Sequence, residues 1–103
     1  MTSQGTAHAR FQRAIQRRQL NAAEMAAREM GGLSLQEALL LCDLLAELNP
    51  PRFQRAAVRW LQRFIEERSP PLAEVALAAS ALIEVRHGER GIAVATLRRL
   101  LQP

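Results

Sequence analysis

Apolar residues recur along this chain at helical spacing in six stretches, punctuated by short runs of glycine, proline, serine and asparagine. The most apolar stretch covers residues 34–48. At roughly 100° per residue, Gln36, Asp43 and Glu47 fall on one narrow polar strip. Leu35, Ala38, Leu39, Leu41, Cys42, Leu44, Leu45, Ala46 and Leu48 spread over most of the remaining circumference. A helix apolar nearly all round is covered by neighbours on several sides. This one is too short, and too rich in acids, to span a bilayer. It is therefore expected as the central core helix.

The other elements follow from local signals. Residues 1–6 are polar, contain Gly5 and are expected to be a flexible N-terminus. A first helix is predicted over 7–19, with Phe11, Ala14 and Ile15 on one side and Arg10, Arg13 and Arg17 on another. Asn21 followed by Glu24 has the form of a capping box and predicts a short second helix over 22–30, stopped by Gly31 and Gly32. Ser34 with Glu37 repeats the box ahead of the central helix, which ends at Asn49, Pro50 and Pro51. Pro51 suits the first turn of a fourth helix, 52–68, with Phe53, Ala57, Trp60, Leu61 and Phe64 as its apolar face. Ser69, Pro70 and Pro71 break the chain before an alanine-rich fifth helix, 72–86. Gly88 and Gly91 bracket the turn into a last helix, 92–101. Short linkers favour antiparallel neighbours. The predicted fold is all-α: five or six antiparallel helices, paired as helical hairpins around the central apolar helix, in one domain over 7–103.

An offset of 37 residues superimposes parts of the chain on itself. Leu35 falls on Leu72, Glu37 on Glu74, Leu40 on Leu77, Leu45 on Leu82, Glu47 on Glu84 and Ala56 on Ala93; Trp60 falls on Leu97 and Phe64 on Leu101. That period is the size of one helical hairpin. In this respect segment 34–101 resembles two hairpins of a tetratricopeptide- or HEAT-like α-helical repeat. The tetratricopeptide pattern of Trp, Gly-Tyr and Pro at fixed spacing is absent. What the resemblance implies is a stack of helical hairpins, as in an α-solenoid.

Composition narrows the class. The chain is 49% hydrophobic and 23% charged, which is globular rather than disordered. Alanine and leucine dominate and β-branched residues are sparse, which disfavours a sheet. A single cysteine excludes an internal disulfide and fits a reducing compartment. The N-terminal residues have no apolar signal core and no run is long enough for a membrane, so a cytoplasmic protein without membrane contact is expected. All 14 basic residues are arginine, and the net charge is +4. The pI of 11.2 follows from arginine titrating so high, without lysine or tyrosine below it. Charge alternates along the chain: +3 over 1–33, −3 over 34–49, +3 over 50–69 and +1 over 70–103.

Few residues invite chemistry. Ala27 and Gly31 have the spacing of a helix-turn-helix, but the helix that would read DNA carries only Glu37, Asp43 and Glu47 as charges, and these repel phosphates. Cys42 lies among leucines, where a thiol is protonated and shielded. His8 and His87 have no ligand spacing with each other or with Cys42. Glu66 with Glu67, and Asp43 with Glu47, are the only paired acids, and no glycine-rich phosphate loop occurs. No catalytic residue, cofactor or metal is expected, and the protein is read as no enzyme.

The remaining feature is the arginine layout. Arg52, Arg59 and Arg63 share a narrow sector of the fourth helix with Arg55 further round, bordering the aromatic face; Arg10, Arg13 and Arg17 form a second row. The plain reading is solvated faces, partly neutralised by Asp43 and Glu47. The functional reading is a basic ridge for an acidic protein surface or for phosphates. Laying 52–68 on an anionic membrane would take Trp60 and two phenylalanines from the core. The expected role is a small helical interaction module for another protein with an acidic surface, with homodimerisation compatible. The alternative is a sequence-non-specific nucleic-acid or ribosome-associated factor acting through the arginine rows.

Overall fold

The computed structural model describes residues 5–103, with side chains from residue 7 onward. Six α-helices follow one another: α1 (Gly5–Gln16), α2 (Leu20–Met30), α3 (Leu35–Leu48), α4 (Pro50–Arg68), α5 (Leu72–His87) and α6 (Arg90–Leu100). Helix accounts for 84% of the structure and no strand occurs among the described residues, as the alanine and leucine content predicts. The expected flexible stretch over 1–6 lies outside the described residues, apart from Gly5 and Thr6, which already belong to α1.

Consecutive helices pair as three hairpins, α1 on α2, α3 on α4 and α5 on α6, in a body measuring 45 × 27 × 20 Å. The helix α3 touches all five others. Its apolar circumference explains this. Leu35, Leu39, Cys42, Leu45 and Ala46 join the larger core, built with Phe53, Trp60, Phe64, Leu82 and Leu97 from α4 to α6. On the other side Leu44 enters a smaller core with Phe11, Ala14, Ile15, Ala23 and Ala26 from α1 and α2. One helix thus seals two cores. Trp60 fixes α4 on α3 by donating its indole N–H to the Leu35 carbonyl at 2.8 Å in a buried position, and stacks on Phe64 at 5.5 Å.

The helix ends show which local signals act. Ser34 Oγ accepts from the Glu37 N–H at 3.1 Å, and the Ser34 N–H donates to Glu37 Oε1 at 2.9 Å, closing the capping box. Gly31 ends α2 at φ 81°, where a side chain would be strained. The turn from α1 to α2 departs from expectation. Helix α1 stops at Gln16, because Arg18 adopts φ 56° and two bonds close the end: Gln19 N–H to the Ala14 carbonyl at 2.9 Å, and Arg18 N–H to the Ile15 carbonyl at 3.1 Å. This is a Schellman closure with arginine where glycine is usual. The chain re-enters helix at Leu20, so Asn21 lies inside α2 and its predicted capping box with Glu24 is not made. Glu24 turns to Arg52 instead.

The hairpins α3–α4 and α5–α6 place several residues of the 37-residue offset alike. Leu45 and Leu82, Trp60 and Leu97, and Phe64 and Leu101 are all buried. Leu35 and Leu72 differ: the first is 4% exposed, the second 83%. The reason is position. Leu35 lies where α4 covers α3, whereas the outer face of α5, including Ile83, has no covering helix among the described residues.

Candidate functional site

The helix α3 has two edges that no neighbour covers completely, and they lie on opposite sides of it. One bears the acidic strip. There Asp43 and Glu47 meet Arg18 from the α1–α2 turn and Arg90 from the start of α6. Arg18 Nε donates to Glu47 Oε1 at 2.9 Å, and Arg90 Nε stands 3.0 Å from Asp43 Oδ1. That buried Oδ1 pairs with the Arg90 charge off the hydrogen-bond direction, so it has no directed donor. The four groups tie all three hairpins together. The Arg18 hydrogen bond holds the Glu47 carboxyl below its ordinary range.

The opposite edge of α3 is the floor of a groove walled by α4. Ala38, Leu41, Cys42 and Leu45 form the floor, and Leu33 closes one end. Two adjoining cavities of about 240 and 510 Å³ make up this groove and share Leu41, Leu45, Ala56 and Arg59. All four arginines singled out on α4 reach it. Arg59 and Arg63 line the first cavity, and Arg52, Arg55 and Arg59 the second.

These guanidiniums are not equivalent. Arg52 pairs with Glu24 across the groove mouth, and Arg63 Nε donates to Glu67 Oε2 at 2.7 Å along its own helix. Arg55 and Arg59 are exposed and have no acid within ion-pair distance among the described residues. Neither Arg59 nor Arg63 reaches Asp43 or Glu47, because those acids face the other edge of α3.

The arginine row of the first helix does not join this site. Arg10 donates to Glu29 across the α1–α2 hairpin at 3.0 Å, a bond that draws the Glu29 carboxyl down. Arg13 on α1 and Arg17 in the turn after it are exposed, and neither contributes to the groove lining. Sequence reasoning had not singled out Arg18 or Arg90, and had given Glu24 a capping role rather than the pair with Arg52. Arg90 carried no signal in the sequence, which places it in the turn ahead of a helix over 92–101, whereas α6 starts at Arg90 itself.

Cys42 lies under the groove at 4% exposure. Burial pushes its thiol up to about 12, the Asp43 charge adding to the shift and Arg59 opposing it. A thiol held neutral in this way is a poor nucleophile. Among the described residues no group of three His, Cys, Asp or Glu is gathered to hold a metal ion. No described helix is long and apolar enough to cross a membrane. The helix α3, which a helix-turn-helix would insert into DNA, is packed against its five neighbours.

A second groove of about 250 Å³ runs between α4 and α5 over Phe53, Ala57, Val58, Leu61 and Leu82, with charge only at its Arg86 and His87 end. No family model matches this chain, and no curated protein or solved structure is significantly similar to it.

Proposed function

We propose that this chain is a non-enzymatic helical interaction module that binds an acidic segment of another protein in the α3–α4 groove. One observation carries the reading: Arg55 and Arg59, without acidic partners among the described residues, stand over the apolar floor of Leu41, Cys42 and Leu45. An apolar centre with a charged rim is the anatomy of a protein interface. Guanidinium is weakly hydrated for a cation and gives two parallel hydrogen bonds to a carboxylate, which suits it to that rim.

Nucleic acid is the second reading, because the same arginines fit phosphates. The floor argues for protein: a phosphodiester backbone has nothing to bury on Leu41 and Leu45, whereas a protein side chain does.

The test is capture from native lysate on the immobilised chain, with and without nuclease, beside the double variant Arg55→Glu/Arg59→Glu. Both residues are exposed, so the variant is expected to fold normally. A defined protein held through nuclease treatment and lost from the variant is the expected result. Loss of everything after nuclease treatment would establish the nucleic-acid reading instead.

A further inference from the structure

A segment entering the α3–α4 groove has to satisfy its own backbone. Apart from Leu33, the lining comes from α2, α3 and α4, whose N–H and C=O groups are bonded along each helix. No strand edge is present among the described residues. The side chains give no substitute. The lining has no asparagine, glutamine, serine or threonine, and the Trp60 N–H is already held by the Leu35 carbonyl. The arginines can donate to a peptide's carbonyls but accept nothing, so its N–H groups find no partner over the floor. An extended peptide would set amides against Leu41 and Leu45 unpaired, each weakening binding by about tenfold. A helix arrives with its amides already bonded.

The spacing of the wall fits the same occupant. Arg55, Arg59 and Arg63 follow one another along α4 at four-residue intervals, each about 6 Å further along the axis. Leu41 and Leu45 are likewise one turn apart on the floor. A helix laid along α4 presents its own residues i and i+4 with the same rise. Its acids then meet the guanidiniums while a neighbouring apolar row lies on the floor. From Pro51 to Arg63 the wall is about 18 Å long, room for about three turns of such a helix.

We infer that the groove takes an acidic amphipathic α-helix lying along α4, its apolar stripe on Leu41 and Leu45 and its carboxylates on Arg55 and Arg59. This rests on the groove being a protein-binding site, as proposed above. An extended acidic peptide is the competing occupant.

Two pooled libraries of displayed peptides, each about sixteen residues and thus about 24 Å if helical, separate these cases. One fixes leucine and glutamate at helical period, the other fixes the same residues in strand alternation, and the remaining positions are random. Selection is on the full chain, with Arg55→Glu/Arg59→Glu as counter-target. The helical-period library is expected to be enriched about tenfold over the other, the factor set by one unpaired amide. Selected peptides should gain helical circular dichroism on binding, shift the emission of the single tryptophan, Trp60, and lose affinity for the double variant. Enrichment of the strand-period library would overturn the helical occupant while leaving a protein-binding groove. Enrichment of neither library on the wild type over the variant would overturn both.

Discussion

Raising the pH tests the burial of Cys42 with unusual directness. The chain has no lysine and no tyrosine, so between the amino terminus and the arginines one group alone titrates, the single thiol. In the unfolded chain that thiol ionises near its ordinary 9.0; in the folded protein it keeps its proton to about 12. Between those values the folded state binds more protons than the unfolded state, so stability falls as pH rises. The slope approaches about 1.4 kcal/mol per pH unit. Below 9 both states hold the proton and the effect vanishes. At about pH 10.5 the loss is worth about 2 kcal/mol. Cys42→Ala removes the titration and leaves a small cavity, an offset that does not depend on pH. The assay is urea unfolding of both proteins at several pH values from about 7.5 to 10.5, with the m-value checked for constancy. The wild-type midpoint should fall progressively below its neutral value while that of Cys42→Ala stays level. Parallel curves for the two proteins would show that Cys42 is not buried as described, and rapid alkylation of the native protein would show the same.

Two further perturbations probe how the helices are fixed. Trp60→Phe removes the buried bond to the Leu35 carbonyl and some volume from the larger core, and should lower stability by about 1–3 kcal/mol in urea unfolding; an unchanged midpoint would mean the indole N–H does not anchor α4. Arg18→Gln takes the main donor from Glu47, whose depressed carboxyl contributes stability that is present at neutral pH and lost as pH falls below about 4.5. Its acid-unfolding midpoint, followed by circular dichroism, should therefore move to higher pH, and an unmoved midpoint would deny the clamp a role.

The helices and their faces were legible without a fold, because they depend on neighbours in sequence. Ser34 and Glu37 cap α3 from three residues apart, Gly31 supplies the left-handed end of α2, and Pro50 and Pro51 open α4. The buried sides of α3 and α4 follow from period alone, and so does the grouping of Arg52, Arg55, Arg59 and Arg63, which share one helix whatever surrounds it. The turn at Arg18 was not legible, since a left-handed arginine leaves no glycine to mark it. Its conformation is held by contacts with Asp43 and Glu47, far along the chain. Neither was it legible which arginines are neutralised. Arg10 meets Glu29, Arg52 meets Glu24 and Arg18 meets Glu47 across separations of 19, 28 and 29 residues. The first pair is set by how α1 packs on α2, and the other two by how that hairpin leans on α3 and α4. Sequence period assigns a side chain to a face, but charge pairing acts over a few ångströms between faces. Only packing decides that Arg55 and Arg59 are left over, above an apolar floor.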